Sequence, residues 1–225
     1  MAISPIVPGI KASIVVNGHK IAEYDDPNAQ GQVVYKYVEC VDNAEFKIHI
    51  HVTNEYRWNH PVTHGLNIRC WADGRLLTND FILQDSLVDN EATMVVYGIR
   101  NVITTMGVAT VQKCRFSPIA TIVNATGDWI NKGTAVIPYL GTITVEVRRV
   151  VQRRPAGPAE DARAFVSEEA MAGKSITHGT TFSPSMMETD VVSCPGDNNN
   201  PVATFHFRYR SRDALQQAMI IPGPH

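Results

Sequence analysis

Two histidines two positions apart, His49 and His51, form the densest metal-ligating pattern in the chain. Residues i and i+2 of a strand share a face, so both imidazoles would point the same way. His60 and His64 follow in a loop-like stretch. Together they could hold a divalent cation, as jelly-roll metalloenzymes do with a strand histidine pair. No Asp or Glu stands at a spacing that completes the set. A solvent-facing strand edge, with the histidines beside Lys47 and Thr53, explains the same residues without a metal.

Aromatic residues offer a second chemistry. Trp58 and Trp129 sit in polar, loop-like contexts, Trp58 next to Asn59. Exposed indoles beside amide side chains suit stacking on a sugar ring. They equally suit a protein interface, where aromatics are enriched. Trp71 ends an alternating run and reads as core. A third pattern is basic: Arg148, Arg149, Arg153 and Arg154 at one strand end, and Arg208, Arg210 and Arg212 at another. Such clusters could hold phosphate. Alternation divides each over two faces, and Glu160, Asp161, Glu168 and Glu169 lie near in sequence. A salt-bridged surface is the favoured reading, and nucleic acid is not the expected partner.

The chain lacks a Gly-x-Ser-x-Gly elbow and a phosphate-binding glycine loop. An enzyme is therefore the less favoured reading, and no cofactor is expected. Asp25 and Asp26 in a turn could ligand calcium, although a solvated turn accounts for them.

The elements that would position these residues are strands. Phe46, Ile48, Ile50 and Val52 alternate with Lys47, His49 and His51. Phe205, Phe207 and Tyr209 alternate with Thr204, His206 and Arg208. Both patterns predict strands with one buried face. Asn17 and Gly18 predict a tight hairpin between residues 12–16 and 21–24, with His19 and Lys20 able to widen it. Further strands are expected over 33–40, 66–71, 94–102, 109–116 and 142–151. Asp73 and Gly74 make a turn. Ser211 caps a short helix from Arg212 to about Ala218, and Pro158 starts another over 159–172. Leu215, Ile220 and Ile221 are expected to dock the C-terminal helix.

These elements imply an all-β fold: a single antiparallel β-sandwich, jelly-roll-like, spanning residues 1–225 with one or two short helices. Residues 152–200, bounded by Pro- and Gly-rich turns, read as a long excursion anchored by Phe165, Met171 and Phe182. Residues 203–220 close the domain as a strand plus helix.

Of the 225 residues, 44% are hydrophobic and 19% charged, which suits a globular protein. The net charge of -2 gives no general attraction to nucleic acid or anionic membrane. No apolar run reaches the ~18 residues of a membrane helix. The first residues do not read as a signal peptide. The four cysteines, Cys40, Cys70, Cys114 and Cys194, are widely spaced and read as free thiols. The expected location is intracellular, cytoplasmic or nuclear.

Several segments, in order, carry a family resemblance. They are Pro8, Gly9 and Ile10; Val16, Asn17 and Gly18; Glu23 to Pro27; Lys113 to Pro118; Leu140 to Ile143 before Val145 to Val147; Ser167 to Ala170 with Gly173 to Gly179; and the terminal Phe205, Phe207 to Arg212, Leu215 and Ile220 to Pro222. Together they resemble an uncharacterised fungal family described as a domain of unknown function. The resemblance implies an intracellular β-rich protein and transfers no catalytic residues.

The functional expectation is a non-enzymatic interaction or structural protein that binds a protein partner or itself. A carbohydrate-binding module acting through a glycan is the alternative. A metal-dependent jelly-roll enzyme using His49 and His51 is the second alternative.

Overall fold

A computed structural model describes residues 1–4, 7–27, 29, 33–58, 65–103, 108–118, 137–153, 190–193 and 200–223. In chain order the strands are β1 (Ala2–Ile3), β2 (Ile10–Val16), β3 (His19–Lys20), β4 (Glu23–Asp25), β5 (Val34–Glu39), β6 (Phe46–Val52) and β7 (Gly65–Ala72). They continue with β8 (Arg75–Leu83), β9 (Ala92–Val96), β10 (Gly98–Ile103), β11 (Val108–Lys113), β12 (Thr142–Arg153), β13 (Asp190–Ser193) and β14 (Ala203–Arg210). The α-helix among the described residues is α1 (Arg212–Gln217).

The fold is all-β and sandwich-like. One sheet runs β1-β2-β6-β9, with β3 added to β2. The other runs β4-β5-β14-β12-β7-β8, with β13 added to β12. β10 and β11 pair as a separate ribbon. Among the described residues the strand pairs are antiparallel except β5–β14, which is parallel.

Alternation explains the core. Phe46, Ile48, Ile50 and Val52 of β6 are buried, while the residues between them are half-exposed. Phe205 and Phe207 of β14 are fully buried against Ile68, Ile143 and Val145 of neighbouring strands, in one continuous apolar cluster. Phe46 stacks on Phe116 at 4.4 Å, and Phe116 meets the ring of Tyr209 at 5.0 Å. The Ser211 side chain accepts a hydrogen bond from the Ala214 N–H, capping α1, and Leu215 and Ile221 are buried while Ile220 is half-buried.

Several sequence expectations are corrected. The Asn17-Gly18 turn is a two-residue loop, with Val16 opposite His19. The chain follows β2 as far as Ile21, whose N–H donates to the Ile14 carbonyl at 3.1 Å, and residues 23–25 then cross to the second sheet as β4. The expected strand over 94–102 breaks at Tyr97. β9 stays in the first sheet and β10 leaves it. Gly98 permits that departure, because a Cβ there would lie 1.9 Å from the Gln112 carbonyl oxygen. Residues 75–83 form a full edge strand, β8, with a bulge at Leu77 opposite the Cys70–Trp71 step of β7. Within the expected 152–200 excursion, β13 pairs back onto β12. The expected helix over 159–172, with Phe165, Met171 and Phe182, lies outside the described residues. Among the described residues no helix is long and apolar enough to cross a membrane.

Truncating Phe207 to Ala should destabilise the domain by about 3–5 kcal/mol in urea unfolding. Deleting residues 203–225 should abolish the cooperative transition, since domains hold only about 5–15 kcal/mol in total. An unchanged melting curve for the deleted chain would show that this segment is dispensable.

Candidate functional site

The outer face of the second sheet carries a cleft of about 480 Å³. Strand register builds its floor. Tyr35 on β5 lies opposite His206 on β14, His206 opposite Thr144 on β12, and Thr144 opposite Trp71 on β7. One row of side chains thus crosses four strands, spanning about 14 Å at ordinary interstrand spacing. A second row places Tyr37, Arg208 and Thr142 side by side. A third aligns Thr204, Glu146 and Arg69.

Residues 137–139 form a 3-10 turn, and Tyr139 leans over Gly74 to close one wall. Asp73 and Gly74 both adopt positive φ, 50° and 76°. A Cβ on Gly74 would stand 3.1 Å from the Tyr139 Cβ, so glycine answers both the backbone and the packing. The Tyr209 hydroxyl donates to the Asp73 carboxylate at 2.7 Å, and that carboxylate also accepts the Gly141 N–H at 2.7 Å. The cleft wall is therefore tied to β14 from below.

The cleft's polar groups are held by neighbours. Arg208 forms an ion pair with the buried Asp26, and its guanidinium carbon lies 5.0 Å from the Tyr35 ring centroid. This places Asp26 in a buried pair rather than in a solvated turn, while Asp25 stays exposed at the end of β4 beside Lys36. Glu146 accepts a hydrogen bond from Arg148 at 2.9 Å. Thr144 Oγ1 and His206 Nδ1 are hydrogen-bonded at 2.9 Å, and the His206 ring stacks on Tyr35 at 4.9 Å. Burial lowers the His206 pKa below 6.5, and the neighbouring Arg208 adds to the effect. His206 is thus neutral at pH 7.

A hydroxyl–imidazole pair can begin a nucleophile–base dyad. Thr144 and His206 are, however, a directly opposed cross-strand pair, which accounts for their bond. Burial pushes the Cys70 thiol up to about 12 and Cys114 up to about 11, so neither is a thiolate at neutral pH. Aromatic walls, hydroxyls and fixed charges suit this cleft to holding a ligand.

Of the described residues singled out in the sequence as candidate ligands, Arg208 lines the cleft. Trp58 packs edge-on against Tyr56 at 4.8 Å, at the margin of the core. Asn59 and Trp129 lie outside the described residues. Trp71, read as core from sequence, instead lines the cleft. His49 and His51 share a face of β6, which is an interior strand of its sheet and not an edge. The His51 Nδ1 pairs with Thr93 Oγ1 at 2.8 Å, and burial, with Lys20 and Lys47 nearby, lowers the His49 pKa. His60 and His64 lie outside the described residues.

Among the basic residues, Arg148 turns to Glu146 while Arg149 donates to the Tyr56 hydroxyl at 3.4 Å. Arg153 ends β12, and Arg154 lies outside the described residues. Arg210 caps the carbonyls of Gly141 and Tyr209, and Arg212 pairs with Glu39. Sequence alternation did place His206 and Arg208 opposite the buried phenylalanines. It carried no signal that Tyr35, Trp71, Tyr139 and Glu146 would join them.

A histidine whose folded pKa is depressed binds fewer protons than in the unfolded chain, so acid favours unfolding. The stability contributed by neutral His206 should be complete well above 6.5 and should fall as pH drops through 6.5 towards the lower folded value. Urea unfolding between pH 7.5 and 5 should show this decline, and His206→Gln should make it shallower. An identical slope in the variant would place the titration elsewhere.

No curated protein and no solved structure matches the chain. A family model described as a domain of unknown function, DUF7918, matches residues 9–224. With nearly its whole length inside that match, the chain belongs to the DUF7918 family.

Proposed function

We propose that this protein is a non-enzymatic recognition domain that holds a partner protein through the outer-face cleft. One observation carries the reading. Tyr35, Trp71, Tyr139 and Arg208 converge on one preformed concavity, and Tyr, Trp and Arg are the residue types that dominate interface binding energy. The Asp26 ion pair already holds Arg208, and stacking on His206 holds Tyr35, which lowers the cost of ordering on binding. The free thiols of Cys40, Cys70 and Cys114 support work in a reducing, intracellular compartment. A second copy of the chain is one candidate partner.

A saccharide is the second reading. It is favoured by the juxtaposition of Trp71 and Tyr139 with the Thr142 and Thr144 hydroxyls.

Trp71→Ala and Tyr139→Ala should abolish capture of the partner that the wild-type chain retains from cell extract. Circular dichroism should show both variants folded. Equal capture by both variants would remove the cleft from recognition. Sedimentation over a range of concentrations separates self-association from capture of another protein, and a glycan array on the same variants tests the saccharide.

A further inference from the structure

We infer that the segment recognised by the cleft is acidic, with a carboxylate side chain one or two residues from an aromatic or aliphatic one. This rests on the recognition reading above and names the partner's chemistry.

Within the cleft, Arg208 is matched by Asp26. At the rim, Glu146 stands directly opposite Arg69 in the β7–β12 register, and its Oε2 accepts from Arg148. Arg69 has no ion pair among the described residues, and its Nε is buried without a hydrogen-bond partner among them. Arg69 is therefore the guanidinium of this row that is left without an ion pair among the described residues.

That charge has a fixed position. The Arg69 guanidinium carbon lies 5.9 Å from the Trp71 ring centroid. Stacking over the ring holds it beside the apolar wall. Arg69 stands over Trp71 and opposite Glu146, both of which line the cleft, and covering a guanidinium that has no ion pair among the described residues is costly unless an anion arrives with it. A carboxylate meets that need with a charge-assisted hydrogen bond to the planar fork. A basic segment is repelled, so the same residue provides discrimination.

The second half of the motif follows from the cleft interior. Thr144 and His206 already satisfy each other. What remains on offer is ring surface from Tyr35, Trp71 and Tyr139. An apolar or aromatic side chain matches it. Arg69 and Trp71 are two positions apart on β7, about 7 Å, which an extended segment spans in two residues.

Selection from a random-peptide phage library on the full chain, followed by fluorescence anisotropy of the recovered peptides, tests the inference. Recovered peptides should share an acid close to an aromatic or aliphatic residue. Replacing the acid by its amide should weaken binding by about tenfold or more on the wild-type chain and have little effect on Arg69→Gln. Arg69→Glu should shift the selection towards lysine and arginine. Peptides that need Trp71 but carry no acid, or bind Arg69→Gln undiminished, overturn the acidic assignment and leave the recognition reading standing. A selection that yields no Trp71-dependent peptide overturns the assignment too. A Trp71-dependent signal on the glycan array would then keep recognition with a sugar, and its absence would end both.

Discussion

The rest of the structure depends on the insertion of β14 between β5 and β12. Its inner face delivers Phe205 and Phe207 to the core, and its outer face delivers His206 and Arg208 to the cleft. The pairing with β5 is parallel and joins residue 34 to residue 205, so it closes only when the C-terminal segment is present. Contacts of such sequence separation carry a large loop-closure cost and form late. The second sheet is therefore completed by the last strand of the chain, and the recognition surface is completed with it.

Two polar locks hold that arrangement. Arg208 reaches the buried Asp26 beyond β4, tying the sheet's edge to its middle. Removing Arg208 would take a guanidinium away from the buried Asp26 carboxylate, which costs more than losing a surface pair. Tyr209 reaches Asp73 in the β7–β8 turn, and Asp73 in turn holds the Gly141 N–H at the start of β12. Burial and the bond to Asp73 raise the Tyr209 pKa, so the hydroxyl stays a donor. The cleft wall and the core-closing strand thus share one network. Substitutions at these positions alter shape and stability together, whereas the Tyr139 side chain is largely exposed.

Much of the fold was legible in the sequence because alternation reports burial directly. The runs 46–52 and 203–210 read correctly for that reason, as did the Asp73-Gly74 turn and the Ser211 cap. The failures are equally physical. β8 carries Thr78, Asn79 and Asp80 in succession, which reads as loop, because an edge strand need bury little. The break at Tyr97 depends on a backbone approach between Gly98 and Gln112 that no local pattern encodes. The cleft was illegible as a unit. Its row joins residues 35, 71, 144 and 206, and only register aligns them. Arg69 gave no signal at all, since its importance comes from what stands opposite it.

The most direct test of the account is fluorine NMR of the chain labelled with 5-fluorotryptophan, titrated with the captured partner. The Trp71 resonance, assigned by Trp71→Phe, should shift or broaden on binding, while that of Trp58, at the margin of the core, should hold its position. A shift of Trp58 with Trp71 unmoved would contradict the account and place recognition away from the face that β14 builds.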